Sequence, residues 1–283
     1  MPEAAQYRKV DLHTHSTRSD GRLSPTELVD LAVEQGVSLF ALTDHDTLDG
    51  IPEARQRAEG HNLSYLNGVE LSTQWQGIPL HMVALGFEDN NPELLSVVAS
   101  NQATRLERGR RIADLLVKQG LPDLFDEALA LAGDSQLGRP HFANLLIEKG
   151  LVKDANKAFD RYLGNKRLGQ LRDVWPDLED VLGTLAGQNM ELILAHPKRY
   201  PLTVTKLKRL LGDFKKWGGT AIEVVSGNER PDHVRLLERL SLEFGLKASA
   251  GSDYHGPFGP WTQVGKFTQI HESEVNLVWS SCQ

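Results

Sequence analysis

Val37-Ser38-Leu39-Phe40-Ala41-Leu42-Thr43-Asp44-His45-Asp46 is a compact apolar run that stops abruptly in polar, metal-competent side chains. A short run of this kind reads as a buried strand. Just before it, Ser24-Pro25-Thr26-Glu27 combines an N-cap serine, a proline at the first helical position and a glutamate at the third. That capping box predicts a helix to about Gln35, stopped by Gly36. Upstream, Tyr7 to Leu12 reads as a strand leading into Asp11-Leu12-His13-Thr14-His15. Downstream, residues 50–59 form a weaker helix, and Leu63–Leu71 and Ile78–Phe87 read as two strands joined by a turn at Gln76-Gly77.

The alternation resumes late in the chain. Glu191–Ala195 is a strand ending in His196-Pro197, and a basic helix covers roughly 204–217. Thr220–Val225 is a strand, 231–244 a helix, and Leu246–Ala250 a strand ending in Gly251-Ser252-Asp253-Tyr254-His255. Strands alternating with helices imply an α/β fold of parallel strands with helical crossovers. Between about Pro92 and Gln170 the period is helical throughout, with a long helix at 93–119 and shorter ones at 122–132, 139–149 and 153–163. The expected organisation is a barrel in two parts, 1–91 and 171–283, interrupted by a helical cap at 92–170.

The 283 residues are 40% hydrophobic and 24% charged, which excludes a disordered chain. No run of about 18 apolar residues is present, so no membrane span is expected. The N-terminus lacks a basic patch and an apolar core, and the single cysteine, Cys282, cannot close an intrachain disulfide. A cytoplasmic setting is the expectation. The formal net charge of −7 argues against gripping duplex DNA by bulk electrostatics.

Polar residues gather where the expected strands end. They are His13, His15 and Asp20, then His45, Glu70, His81 and His196, and finally Asp253 and His255. In a parallel α/β barrel such ends form the active-site face. Imidazole mixed with carboxylate suits zinc, manganese or iron. Residues i and i+2 of an extended segment point the same way, so His13 and His15 can grip one ion. The nine residues exceed the needs of one ion; they suffice for two, or for three if a carboxylate bridges. Asp11, Asp44 and Asp46 adjoin ligands and read as their orienters. His61, His233 and His271 lie outside every motif and read as surface or structural.

These motifs resemble the PHP (polymerase and histidinol phosphatase) superfamily. The matching elements are Asp11-Leu12-His13-Thr14-His15 with Ser19-Asp20-Gly21, Thr43-Asp44-His45-Asp46, Gly68-Val69-Glu70, His81, His196-Pro197 and Ser252-Asp253-Tyr254-His255. The resemblance implies a distorted (βα)7 barrel whose nine ligands hold up to three ions, usually manganese. The helical insertion is similar to a branch containing the 5′-to-3′ exoribonuclease RNase AM and the 3′,5′-nucleoside bisphosphate phosphatases. Its markers here are Arg105, Arg108, Gly138-Arg139-Pro140-His141-Phe142-Ala143 and His196-Pro197-Lys198-Arg199-Tyr200.

Metal ions lower the pKa of bound water toward about 7. A hydroxide held by the ligands is therefore the expected nucleophile in phosphoester hydrolysis, and His196 is a further catalytic residue to consider. Arg105, Arg108, Arg139, His141 and Arg199 are the expected phosphate contacts, arginine offering a bidentate fork. The substrate expected from the branch is a small nucleotide or short single-stranded RNA with a 5′-phosphate. A histidinol-phosphate-type phosphatase would keep the metals and need another anion pocket. A non-catalytic metal- or nucleic-acid-binding module would be expected to have lost ligands, and none is replaced.

Overall fold

The computed structural model describes residues 9–164, 167–168, 171, 174–259, 262–268, 270–271 and 274–281. Tyr7, where the first strand was expected to begin, and Cys282 lie outside them.

Seven strands form one sheet in the order β1 (Val10–Asp11), β2 (Leu39–Leu42), β3 (Ser64–Trp75), β4 (Ile78–Leu85), β5 (Glu191–Leu194), β6 (Ala221–Ser226), β7 (Lys247–Gly251). The sheet curls into a nearly closed barrel. Its ends meet where Leu12 N donates to Ala250 O and Asp253 N donates to His13 O. Gly251 permits that approach, because a Cβ there would stand 2.3 Å from the Cβ of His13.

The pairings β1–β2, β2–β3, β5–β6 and β6–β7 are parallel, but β4 runs antiparallel to both β3 and β5. The antiparallel pair β3–β4 is the pair of strands expected on either side of a turn at Gln76-Gly77, whereas the strands alternating with helices pair in parallel as expected. The cause is local. Gln76 and Gly77 have φ of 51° and 72°, and two left-handed residues close a tight hairpin. Reversal puts the first half of β4 at the mouth of the barrel, and His81 pairs there with Ser72.

Helix α1 (Pro25–Glu34) begins at the expected box: Ser24 Oγ accepts from Glu27 N, and Glu27 Oε2 accepts from Ser24 N at 2.8 Å. Such a cap contributes about 1 kcal/mol. Helix α2 is Ile51–Gly60, and the cap carries α3 (Pro92–Lys118), α4 (Phe125–Ala132), α5 (Arg139–Glu148) and α6 (Ala155–Ala158), the last running into a π-turn at Phe159–Leu163. Helix α7 (Leu178–Leu185) was not expected; α8 (Val204–Lys216) and α9 (Pro231–Glu243) were.

The segment 92–170 contributes to two cores. Leu94, Val97 and Val98 of α3 pack into the barrel core beside Leu178, Val181 and Leu182. Farther along the same helix, Ile112, Ala113 and Leu116 join Leu124, Phe142, Leu146 and Leu163 in a separate cap core. No helix among the described residues is long and apolar enough to cross a membrane.

Candidate active site

Glu70 is the centre of the mouth. It lies inside β3, fully buried, with five histidines around one carboxylate. Oε2 stands 3.3, 3.2 and 3.0 Å from ring nitrogens of His13, His15 and His45; Oε1 stands 3.0 and 2.9 Å from those of His81 and His196. Asp253 Oδ1 is 3.4 Å from His13 Nε2 and 3.2 Å from His15 Nε2. Asp20 Oδ1 is 3.3 Å from His255 Nε2 and 3.9 Å from His45 Nε2. The structure thus gathers all nine expected ligands. Eight of them fall into overlapping groups: His13, His15, Glu70 and Asp253; His15, Asp20, His45 and His255; His45, Glu70 and His81; the ninth, His196, joins through Glu70 Oε1.

The spacing fits metal ions. Two donors about 2.1 Å from one ion lie roughly 3.0–3.4 Å apart when separated by 90–109°. The buried His15 Nδ1, Asp20 Oδ1, His45 Nδ1, Glu70 Oε2, His81 Nδ1 and His196 Nδ1 have no hydrogen-bond partner. Unsatisfied buried polar atoms are costly, and six at one mouth call for cations. The electrostatics agree. Burial opposes its charge, yet the facing His45, His81 and His13 hold Glu70 well below the usual carboxylate range. Burial pushes His45 down to about 3, against the pull of Glu70 and Asp20, whereas in His13, His15 and His255 the facing carboxylates overcome burial and raise the imidazoles.

The backbone is shaped for this. Asp46, His196 and Asp253 hold φ of 51°, 29° and 50°, left-handed geometry that non-glycine residues rarely adopt. Neighbours fix two of them. Asp46 accepts from Ser72 N, Ser72 Oγ, Asn101 Nδ2 and Arg105 Nε at 2.6–2.8 Å. His196 N donates to Glu223 Oε2 at 2.7 Å. Asp44 binds Ser16 and Ser19, and Asp11 binds Ser252 N and Gly265 N, so the three aspartates expected as orienters brace the loops carrying the ligands.

Glu223 was missed by sequence reasoning. It lies buried in β6 and its Oε1 is 2.9 Å from His13 Nδ1, turning Nε2 of that ring toward Glu70. The available signal was a lone carboxylate within Ala221-Ile222-Glu223-Val224-Val225. Carboxylates behind ligating histidines set tautomer and basicity. Glu223→Gln is expected to weaken metal binding about ten- to hundredfold, measured by metal titration; unchanged affinity would remove Glu223 from this role.

A cavity of about 580 Å³ opens beside the cluster, lined by Asp20, His45, His81, Arg105, Arg108, Arg139, Arg199 and the apolar Phe159, Leu171 and Trp175. The expected phosphate contacts take different positions there. Arg108 stands 5.6 Å from the Trp175 ring, and its Nε has no hydrogen-bond partner. Burial pushes its guanidinium down to about 9, with Arg139 and Arg105 adding repulsion, so an anion among the three relieves both. Arg139 stands 5.6 Å from the Phe159 ring and donates to Leu163 O. Arg105 is turned back to Asp46 and Ser72, and Arg199 is paired with Asp253 and Ser226. His141 caps its own helix: Nδ1 accepts from Gly138 N at 3.0 Å and Nε2 is 3.2 Å from Ser135 Oγ. His61, His233 and His271 pair with Asp30, Glu229 and Glu238, away from the cluster.

The PHP domain model matches residues 11–166, more than half of the chain. The chain belongs to the PHP family. A 5′-3′ exoribonuclease of Haemophilus influenzae is 40% identical to this PHP protein over 272 residues, covering 96% of this chain and 98% of that one. A 3′,5′-nucleoside bisphosphate phosphatase of Chromobacterium violaceum is 38% identical over 257 residues, covering 90% of each. A solved structure from Chromobacterium violaceum, described as an amidohydrolase with bound sulfate, superposes on this PHP protein with a TM-score of 0.85 at 36% identity, covering 96% of this chain and 94% of the other.

Proposed function

We propose that this chain is a metal-dependent phosphoesterase that hydrolyses the 3′-linked phosphate of 5′-phosphorylated nucleotides. Its substrates are short 5′-monophosphorylated single-stranded RNA, 3′,5′-nucleoside bisphosphates, or both. The observation carrying this reading is a carboxylate-centred histidine cluster opening directly onto a cavity with half-buried arginines. The relatives named as an exoribonuclease and a bisphosphonucleotide phosphatase support it.

His13, His15, Asp20, His45, Glu70, His81, His196, Asp253 and His255 would hold two or three divalent ions, manganese in the reading we favour. Bound ions supply Lewis acidity for the phosphoryl group and ionise water near neutral pH. Glu70, with both oxygens engaged, holds the two halves of the cluster at a fixed spacing. Arg108 and Arg139 bind the 5′-phosphate and so place the 3′-linked phosphorus at the cluster. Trp175 and Phe159 keep those guanidiniums out of bulk water. Cleavage between phosphorus and the 3′ oxygen releases a 5′-mononucleotide. The rest of the substrate leaves as phosphate from a bisphosphonucleotide, or as RNA bearing a new 5′-phosphate. The enclosed cavity suits one terminal nucleotide rather than a duplex, and we place the enzyme in the cytoplasm.

The test is hydrolysis of a 3′,5′-bisphosphonucleotide, a 5′-phosphorylated RNA oligomer and histidinol phosphate by the manganese-loaded protein. Turnover confined to histidinol phosphate would replace this reading. Chelation is expected to abolish activity and lower Tm by about 5–10 °C, the shift for a ligand removed from a site near a hundredfold above its Kd. A Tm unmoved by chelation in calorimetry would speak against tightly held ions.

A further inference from the structure

A second groove, of about 690 Å³, also reaches the cluster, sharing Asp20 and Pro140 with the arginine cavity. Asp20 and His255 lie at its inner end, and Asp20 also lines the arginine cavity. Its outer walls carry Arg18, Arg22, Leu131, Asp134, Asn144 and Phe258. Two of its lining residues are large hydrophobics exposed to solvent, Phe258 at 57% and Leu131 at 46%. Arg22 stands 5.9 Å from the Phe258 ring. Arg18 is bound to Glu53 at 3.2 Å and lies 3.8 Å from Asp134. No ion pair holds the Arg22 guanidinium among the described residues.

We propose that this groove is the track for the nucleotides on the 3′ side of the scissile phosphate in a single-stranded RNA substrate. The inference rests on the proposed function and extends it. If the terminal nucleotide fills the arginine cavity, the scissile phosphorus sits at the cluster. In RNA that phosphate carries a second substituent, the 5′ oxygen of the next nucleotide, which a bisphosphonucleotide lacks. That oxygen must lead to an opening continuous with the cluster and distinct from the terminal-nucleotide cavity, and the groove ending at Asp20 and His255 is such an opening. An exposed aromatic face with an arginine beside it is the chemistry that holds single strands without reading sequence: bases stack and the cation meets phosphate. After each cleavage the new 5′-phosphate lies at the cluster while the track still holds the chain, ready to advance by one nucleotide.

The test measures binding of a 5′-mononucleotide and of 5′-phosphorylated oligonucleotides of two, three and five residues whose first linkage is a 3′-methylenephosphonate, a P–C bond that cannot be hydrolysed, by fluorescence anisotropy. In the native manganese-loaded protein, affinity should rise with the second and third residues. Arg22→Ala and Phe258→Ala should each remove roughly tenfold of that rise while leaving binding of the single nucleotide unchanged. Arg22→Lys and Phe258→Tyr should restore most of it. A native affinity that ignores length, or a rise that survives in the double alanine variant, overturns the track. Length-dependent binding without hydrolysis of any 5′-phosphorylated substrate would instead overturn the proposed function and leave the track standing.

Discussion

Glu70→Gln is expected to lower kcat by roughly a thousandfold or more while the chain stays folded. The substitution preserves shape and removes charge. Both oxygens are committed, Oε2 toward His13, His15 and His45 and Oε1 toward His81 and His196, so a neutral amide disrupts both halves of the cluster together. An amide also places an NH2 where one oxygen faced imidazole nitrogens, and that group cannot ligate a cation. Unfolding is not the expected route to this loss, because the barrel core around β3 is apolar and untouched. The measurement is kcat alongside metal content and circular dichroism. Near-native turnover with full metal occupancy would show that Glu70 is not the bridge.

Arg108→Ala is expected to lower kcat/KM about ten- to hundredfold on RNA with a 5′-phosphate, the loss of a charge-assisted contact worth about 1.5–3 kcal/mol. Arg108 is half-buried with its Nε unpartnered, and Arg139 and Arg105 repel its guanidinium, a setting that favours a bound anion. RNA with a 5′-hydroxyl, and generic esters such as p-nitrophenyl phosphate, should be nearly unaffected. Arg139→Ala should follow the same pattern. Arg105→Ala should differ, reducing activity on both RNAs, because this guanidinium holds Asp46 beside His45. Equal losses on both RNAs for Arg108→Ala would mean that it does not read the 5′ end.

Much of the barrel is legible in the sequence because strands and helices leave local periods. The apolar run before Thr43-Asp44-His45-Asp46 and the box at Ser24 need no distant partner to be recognised. The candidate ligands are legible for a related reason: all but Asp20, which lies in the loop between β1 and α1, line a strand or follow closely on one, and the sheet brings those together. The hairpin that reverses β4 is legible for the same reason, written in the turn at Gln76-Gly77, whereas its antiparallel pairing with β5 has no local signal. Leu178, Val181, Leu182 and Leu185 carry the i, i+3, i+4, i+7 spacing of α7, which goes unread beside the more conspicuous motifs. What local spacing does not carry is pairing across the chain. Glu223 meets His13 across 210 positions, and Arg105 meets Asp46 across 59. Spacing assigns Arg105 and Arg108 to one helix face, yet it does not show that one braces the metal loop while the other is left with an unpaired buried nitrogen.

Helix α3 is a single rod of 27 residues, about 40 Å long at 1.5 Å per residue. Its first turns are sunk in the barrel and its last turns in the cap, with Asn101 and Arg105 clamped to Asp46 between them. A rod anchored at both ends leaves no hinge along its length. The helical segment is therefore expected to keep its position through a catalytic cycle. On the proposed function, substrate would enter and the mononucleotide leave through the mouth of the cavity, and the expected slow step after cleavage is release from the arginines rather than a conformational opening. Turnover should accordingly respond to competing anions, to ionic strength and to solvent viscosity.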